Sequence, residues 1–164
     1  MSLAVKNEQL KEKLQAMAAK ARTGDELMSG IVETLHRDMP AYNWVGFYML
    51  EKSLAATQPP VLVLGPFRGA PTPHTRIPLN QGICGAAASS GETVIVDDVN
   101  SDPRYLSCSL ETKSEIVAPV FVHREVAGEL DIDSHARAAF TPEDRDLVEY
   151  CASLVGRFLE TSAC

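Results

Sequence analysis

Near the N-terminus apolar residues recur at intervals of three and four. Through the middle they come in short runs, and helical spacing returns near the C-terminus. Leu10, Leu14, Met17 and Ala21 share one face of a helix predicted over Glu8–Ala21. Thr23 followed by Glu26 reads as a capping box opening a second helix. That helix carries Leu27, Ile31 and Leu35 on one face and stops before Pro40. Trp44–Leu50 and Val61–Leu64 read as strands, with Lys52–Pro60 as the turn and Gly65, Pro66 and Gly69 through Pro73 as a loop. Thr75–Pro78 is a short extended piece, Ile83–Ser89 a short helix of small residues, and Thr93–Val96 another strand. Ile116–Val122 and Val126–Ile132 form a hairpin turned at His123–Glu125. Thr141 caps a final helix with Pro142 at its first position, Asp144 three residues after the cap, and an apolar face of Leu147, Cys151, Leu154 and Phe158. The order predicts an α+β fold, a mainly antiparallel central sheet flanked by N- and C-terminal helices. With no repeat and no linker, residues 1–164 read as a single domain, N-terminal helices over about 7–38 and a core over about 42–160.

Composition narrows the function classes. The net charge is −7, which disfavours nucleic acid and anionic membrane as partners. No apolar run approaches the ~20 residues that span a bilayer. The N-terminal MSLAVKNEQLKEK turns charged before a signal-peptide apolar region forms. The expectation is a cytoplasmic protein whose four cysteines are mainly reduced, any disulfide being transient or catalytic.

The cysteines differ in setting. Cys151 lies on an apolar helix face and reads as a buried structural thiol, and Cys164 is terminal. Cys84 sits in QGICGAA, where small residues permit close approach and a nearby helix N-terminus favours a thiolate. Cys108 lies in the polar stretch Asp97–Ser114, long enough to suggest a functional loop. The spacing matches no zinc pattern, so Cys84 and Cys108 are either a redox pair or two unrelated thiols. In ELDIDS, Asp131 and Asp133 share one strand face with Ile132 on the other, and Glu115 begins the neighbouring strand. Adjacent carboxylates repel, so one pKa rises unless a cation sits between them. The set suits a substrate ammonium or a proton-donating carboxyl; the plain alternative is a solvated strand face. The spacing is not that of a calcium-binding EF-hand loop. Trp44 and Tyr48 share a face, with Phe47 pointing away. They are either core or an aromatic wall for a thioether.

Together YNWVGFY, LGPFRG, TRIPLNQGICG, SCSLETKSEIVAPV, GELDIDS and FTPEDRDLVEYCASL resemble the free methionine-R-sulfoxide reductases, a GAF-domain family, from about Asp25 to Leu159. The resemblance implies a GAF fold and thiol-dependent reduction of free L-methionine-(R)-sulfoxide, with no metal or organic cofactor. By it, Cys108 is the sulfur-attacking nucleophile and Cys84 the second redox cysteine. Glu115, Asp131 and Asp133 hold the substrate amine and act at the sulfoxide oxygen, with Asp133 the preferred acid. Trp44 and Tyr48 wall the substrate methyl. A third cysteine, frequent in the family two positions before Arg76, is His74 here, so Cys84 is expected to resolve. The reaction so implied passes through a Cys108 sulfenic acid and a Cys84–Cys108 disulfide opened by a thioredoxin-like dithiol. Arg76, Arg104 or Lys113 are candidates to support the thiolate. GAF folds commonly pair through terminal helices, so a homodimer is an expectation of the same kind. Two rival readings remain, a non-catalytic GAF ligand-binding module and a thiol redox sensor.

Overall fold

The computed structural model describes residues 2–51, 57–106 and 109–162. Cys108, Cys164 and most of the turn expected at Lys52–Pro60 lie outside the described residues. Two helices come first, α1 (Leu3–Lys20) and α2 (Gly24–Asp38), followed by strands β1 (Trp44–Glu51), β2 (Val61–Arg68) and β3 (Arg76–Pro78). Helix α3 (Gly82–Ser90), β4 (Val94–Val96), the hairpin β5 (Ser114–Val122) and β6 (Glu125–Ser134), and α4 (Pro142–Ser162) complete the chain. The strands form one sheet in the order β3-β2-β1-β6-β5-β4. Every pairing is antiparallel.

The caps are where local sequence rules put them. Thr23 Oγ1 accepts from the Glu26 N–H at 3.1 Å. Thr141 Oγ1 accepts from the Asp144 N–H at 3.3 Å while the Asp144 carboxylate accepts from the Thr141 N–H at 2.9 Å. Asp144 also accepts from the Tyr42 hydroxyl at 2.6 Å, tying α4 to the chain entering β1. The β5–β6 turn is made by His123 and Arg124, both at positive φ, as a two-residue hairpin with right-handed strand twist requires.

Three boundaries differ from the sequence reading. Helix α1 begins at Leu3, because the Ser2 hydroxyl accepts from the Val5 N–H and starts the helix before its apolar stripe. Strand β2 runs on through Gly65 and Pro66, expected as loop. Its register against β1 shifts between Gly46 and Tyr48, and β3 pairs only with Val61–Val63. Pro66 therefore sits at an irregular edge where a missing N–H costs little. The hairpin strands extend outward to Ser114 and Ser134, carrying the polar residues of GELDIDS into full ladder pairing.

The two faces of the sheet have different contents. One packs α1, α2 and α4 against Val45, Phe47, Ile116, Ala118, Leu130 and Ile132 in the larger core. Cys151 is fully buried there, its thiol pushed up to about 12 by burial, as suits a structural residue. The other face is covered by α3 and the segment after β4, and its smaller core joins Tyr48, Leu62, Ile77, Ile83, Cys84 and Val117.

Candidate active site

Strand register assembles the site on that second face. Trp44, Gly46 and Tyr48 of β1 stand opposite Asp133, Asp131 and Glu129 of β6. On the far side of β6, Glu115 pairs with Asp133 and Val117 with Asp131. Since side chains alternate, all of these project to one face. Gly46 makes room between the rings: a Cβ there would come within 2.3 Å of the Trp44 indole. The indole stacks on Tyr48, centroids 6.2 Å apart, and on Phe67 at 5.6 Å. Its Nε1–H donates to the Ala70 carbonyl at 3.0 Å, and the Tyr48 hydroxyl donates to the His74 carbonyl at 2.7 Å. The Trp44–Tyr48 wall is therefore held at both polar ends.

Helix α3 lowers Cys84 onto the acids. Gly82, at φ 72°, opens the helix in a conformation other residues rarely adopt, and a Cβ on it would press Leu106 at 3.0 Å. Cys84 is in the first turn, where the helix dipole is worth about 0.3–1 kcal/mol to a thiolate. Its thiol instead donates to Asp131 Oδ2 at 3.4 Å. Burial, with the charges of Asp131, Glu129 and Glu115, pushes the Cys84 pKa well above its ordinary value. The thiolate expected from the helix N-terminus is thus overruled: in the free protein Cys84 is a neutral thiol.

Four carboxyls, Glu115, Glu129, Asp131 and Asp133, are each at most 5% exposed. Among the described residues no Lys, Arg or His nitrogen forms an ion pair with any of them. Arg76 and Arg104, candidates to support the Cys108 thiolate, bind Glu51 at 3.0 Å and Asp102 at 2.7 Å; Cys108 itself lies outside the described residues. Asp131 Oδ1, Asp133 Oδ1 and both Glu129 oxygens have no hydrogen-bond partner among the described residues. Desolvation raises every one of these pKa values. Glu115 and Asp133 are pushed well up by burial and then by the neighbouring Asp131. Asp131 is raised by burial, but contacts with Glu115 and Cys84 pull it back. Asp131 is therefore the group most ready to carry charge, and Asp133 and Glu115 the ones that keep protons.

Glu129 is the residue that the sequence reading missed. It faces Tyr48 across the ladder, is fully buried, and is pushed well up by burial, although contact with Cys84 acts the other way. The period-two argument that placed Asp131 and Asp133 on one face extends to it in the same GELDIDS motif. Groups with raised folded-state pKa values hold more protons folded than unfolded. Their stabilising effect is complete below the ordinary carboxylate range near ~4 and is lost as pH rises through the folded-state values. The melting temperature should therefore fall as pH is raised above the ordinary carboxylate range. Glu129→Gln should flatten that fall and stabilise by about 1–3 kcal/mol at the upper end, the usual scale for one uncompensated buried polar group. Thermal unfolding across pH checks both.

Two small cavities open on the cluster. One of about 20 Å³ is lined by Tyr48, His74, Cys84, Leu106, Glu115 and Asp131 among others. The other, about 90 Å³, is lined by Asn43, Trp44, Ser109, Thr112, Asp133 and His135 among others. The described residues on either side of Cys108 thus contribute one to each cavity, Leu106 to the first and Ser109 to the second. A larger surface hollow, about 760 Å³ around Phe121 and Arg157, has neither a cysteine nor a residue of the acid cluster in its lining.

This sheet, with helices behind it and an enclosed pocket under a short helix, is that of a GAF domain, and residues 23–159 match the GAF domain family. The free methionine-R-sulfoxide reductase of Escherichia coli is 34% identical over 128 residues, covering 78% of this chain and 73% of its own length. The yeast protein of that name, from Saccharomyces cerevisiae, is 40% identical over 116 residues, 70% of this chain and 62% of its own. The crystal structure of the Neisseria meningitidis free methionine-R-sulfoxide reductase in complex with its substrate superposes with a TM-score of 0.88 at 29% identity. That match covers 100% of this chain and 95% of the other. The chain belongs to the GAF-domain family and, within it, to the free methionine-R-sulfoxide reductases, a family of oxidoreductases. No helix among the described residues is long and apolar enough to cross a membrane.

Proposed function

We propose that the protein reduces free L-methionine-(R)-sulfoxide to L-methionine, using Cys108 as nucleophile and Cys84 as resolving thiol. The observation that carries this reading is a buried acid cluster with which no basic side chain among the described residues forms an ion pair. Such a cluster needs a cation from outside, and the ammonium of a free amino acid supplies one. Asp131 and Glu115 hold that ammonium, and Trp44 and Tyr48 give the sulfur and its methyl an aromatic wall. The relatives named above support the choice of substrate.

The Cys108 sulfur attacks the sulfoxide sulfur while Asp133 gives its proton to the departing oxygen. Methionine leaves, and the oxygen remains on Cys108 as a sulfenic acid. That Leu106 and Ser109 line the two cavities supports delivery of residue 108 to this place. Cys84 then attacks the sulfenic sulfur, passing its proton to Asp131, which already accepts from it. The departing hydroxide takes that proton from Asp131 and leaves as water, and a Cys84–Cys108 disulfide forms. A thioredoxin-like dithiol in a reducing cytoplasm restores both thiols by exchange and takes up the oxidation.

Incubation of the protein with dithiothreitol and racemic free methionine sulfoxide, followed by separation of the diastereomers, tests the assignment. Selective disappearance of the R form is expected. Survival of both forms would leave a GAF ligand-binding domain without this activity.

A further inference from the structure

We infer that, with substrate absent, Cys84, Glu115 and Asp131 form a binding site for one thiophilic divalent cation of the zinc type, which excludes the amino-acid substrate. The inference rests on the reading above only for that exclusion; the site itself stands on geometry.

One sulfur and two carboxylate oxygens from these residues lie within 4.8 Å of one another, all three side chains being buried. Cys84 Sγ and Asp131 Oδ2 are 3.4 Å apart. A zinc ion holding sulfur at ~2.3 Å and oxygen at ~2.1 Å in a tetrahedron sets that edge at about 3.6 Å. One edge of the polyhedron is thus nearly at its final length. The cavity these residues line, about 20 Å³, accommodates a single ion or water. Glu129 supplies an independent observation. It is fully buried, lies against Cys84, and neither of its oxygens has a hydrogen-bond partner among the described residues, so an unpaired acid borders the three ligands and the fourth position falls to water.

The donor chemistry selects the ion. A thiolate among carboxylates favours zinc and its softer congener cadmium over magnesium or calcium, which take oxygen alone. Binding displaces the Cys84 thiol proton and occupies the acids that would receive an ammonium. Cation and amino acid therefore compete, and an ion on Cys84 also prevents disulfide formation. Zinc would act as a reversible inhibitor of the reduced protein.

The test uses the full chain, reduced and freed of metal by chelation. Cadmium is titrated in while the ultraviolet sulfur-to-cadmium charge-transfer band is followed, and zinc binding is measured by calorimetry. One equivalent should saturate both. The band should vanish in Cys84→Ser and persist in Cys108→Ser and Cys151→Ser. Glu115→Gln should weaken binding by at least ~10-fold, the scale on which even outer groups of a metal site act. Free L-methionine should weaken cadmium binding to the wild-type protein, a readout that needs no variant to fold. Absence of a band at one equivalent, or a band that survives in Cys84→Ser, overturns the site. Turnover of the chelated protein without a cadmium band rejects the metal site alone. A cadmium band without loss of the R sulfoxide rejects the reductase reading alone.

Discussion

Cys108→Ser is expected to abolish reduction of free methionine-R-sulfoxide, whereas Cys84→Ser should release one equivalent of methionine per protein and then stop when thioredoxin is the reductant. The difference follows from the two settings. Cys84 is buried beneath α3, bonded to Asp131, and held neutral by burial and three nearby acids. A neutral thiol in such a field is a poor first attacker on the sulfoxide sulfur. It is well placed for a second step, because a proton acceptor already touches it. Cys108 belongs to a segment bounded by one residue lining each cavity. Rapid-quench measurement of methionine released per protein, with and without reductant, separates the phenotypes. If the Cys84 variant lost the first turnover and the Cys108 variant kept it, attacker and resolver would be reversed.

The second large effect is rejection of peptide-like substrates. N-acetylation of methionine-R-sulfoxide removes the ammonium and leaves buried carboxylates facing an amide. Removing one partner of a buried hydrogen-bonded charge pair, here a pair that forms only when the ammonium arrives, costs about 3–5 kcal/mol, so kcat/KM should fall by about 10²- to 10⁴-fold. Asp131→Asn should raise KM for the free amino acid and narrow the gap between the two substrates. It replaces the acid opposite Gly46 with a neutral group of similar shape, so the loss belongs to charge more than to fit. Side-by-side steady-state kinetics on the free and acetylated R sulfoxides decide the matter. Equal kcat/KM for both would remove the ammonium from the account.

The helix caps at Thr23 and Thr141, the period-two strands and the β5–β6 hairpin were legible because each depends on residues close in sequence. The common face of Asp131 and Asp133 was legible for the same reason. That Glu115 stands beside Asp133 was legible only as far as its place at the start of the neighbouring strand; that Trp44 stands opposite Asp133 is a matter of strand register, and the aromatic pair entered the site through family resemblance. The length of β2 was not legible, because Pro66 reads as a breaker until one knows it sits at an irregular edge. Arg76 and Arg104 each pair with an acid away from the buried cluster, partners that nothing local in the sequence distinguishes. Glu129 was open to view in the alternation of GELDIDS; a glutamate two places beyond a plausible pair was not counted as part of it. Its burial against Cys84 is a property of how α3 packs, which no local pattern states.

The central claim is that the acids are largely protonated in the empty site and become charged when an ammonium arrives. Calorimetric titration of reduced protein with free L-methionine at neutral pH, repeated in buffers of different ionisation enthalpy, counts the protons exchanged on binding. Net release of protons is the predicted result, since the incoming positive charge lowers the carboxyl pKa values. Binding with no proton release, or with uptake, would contradict it.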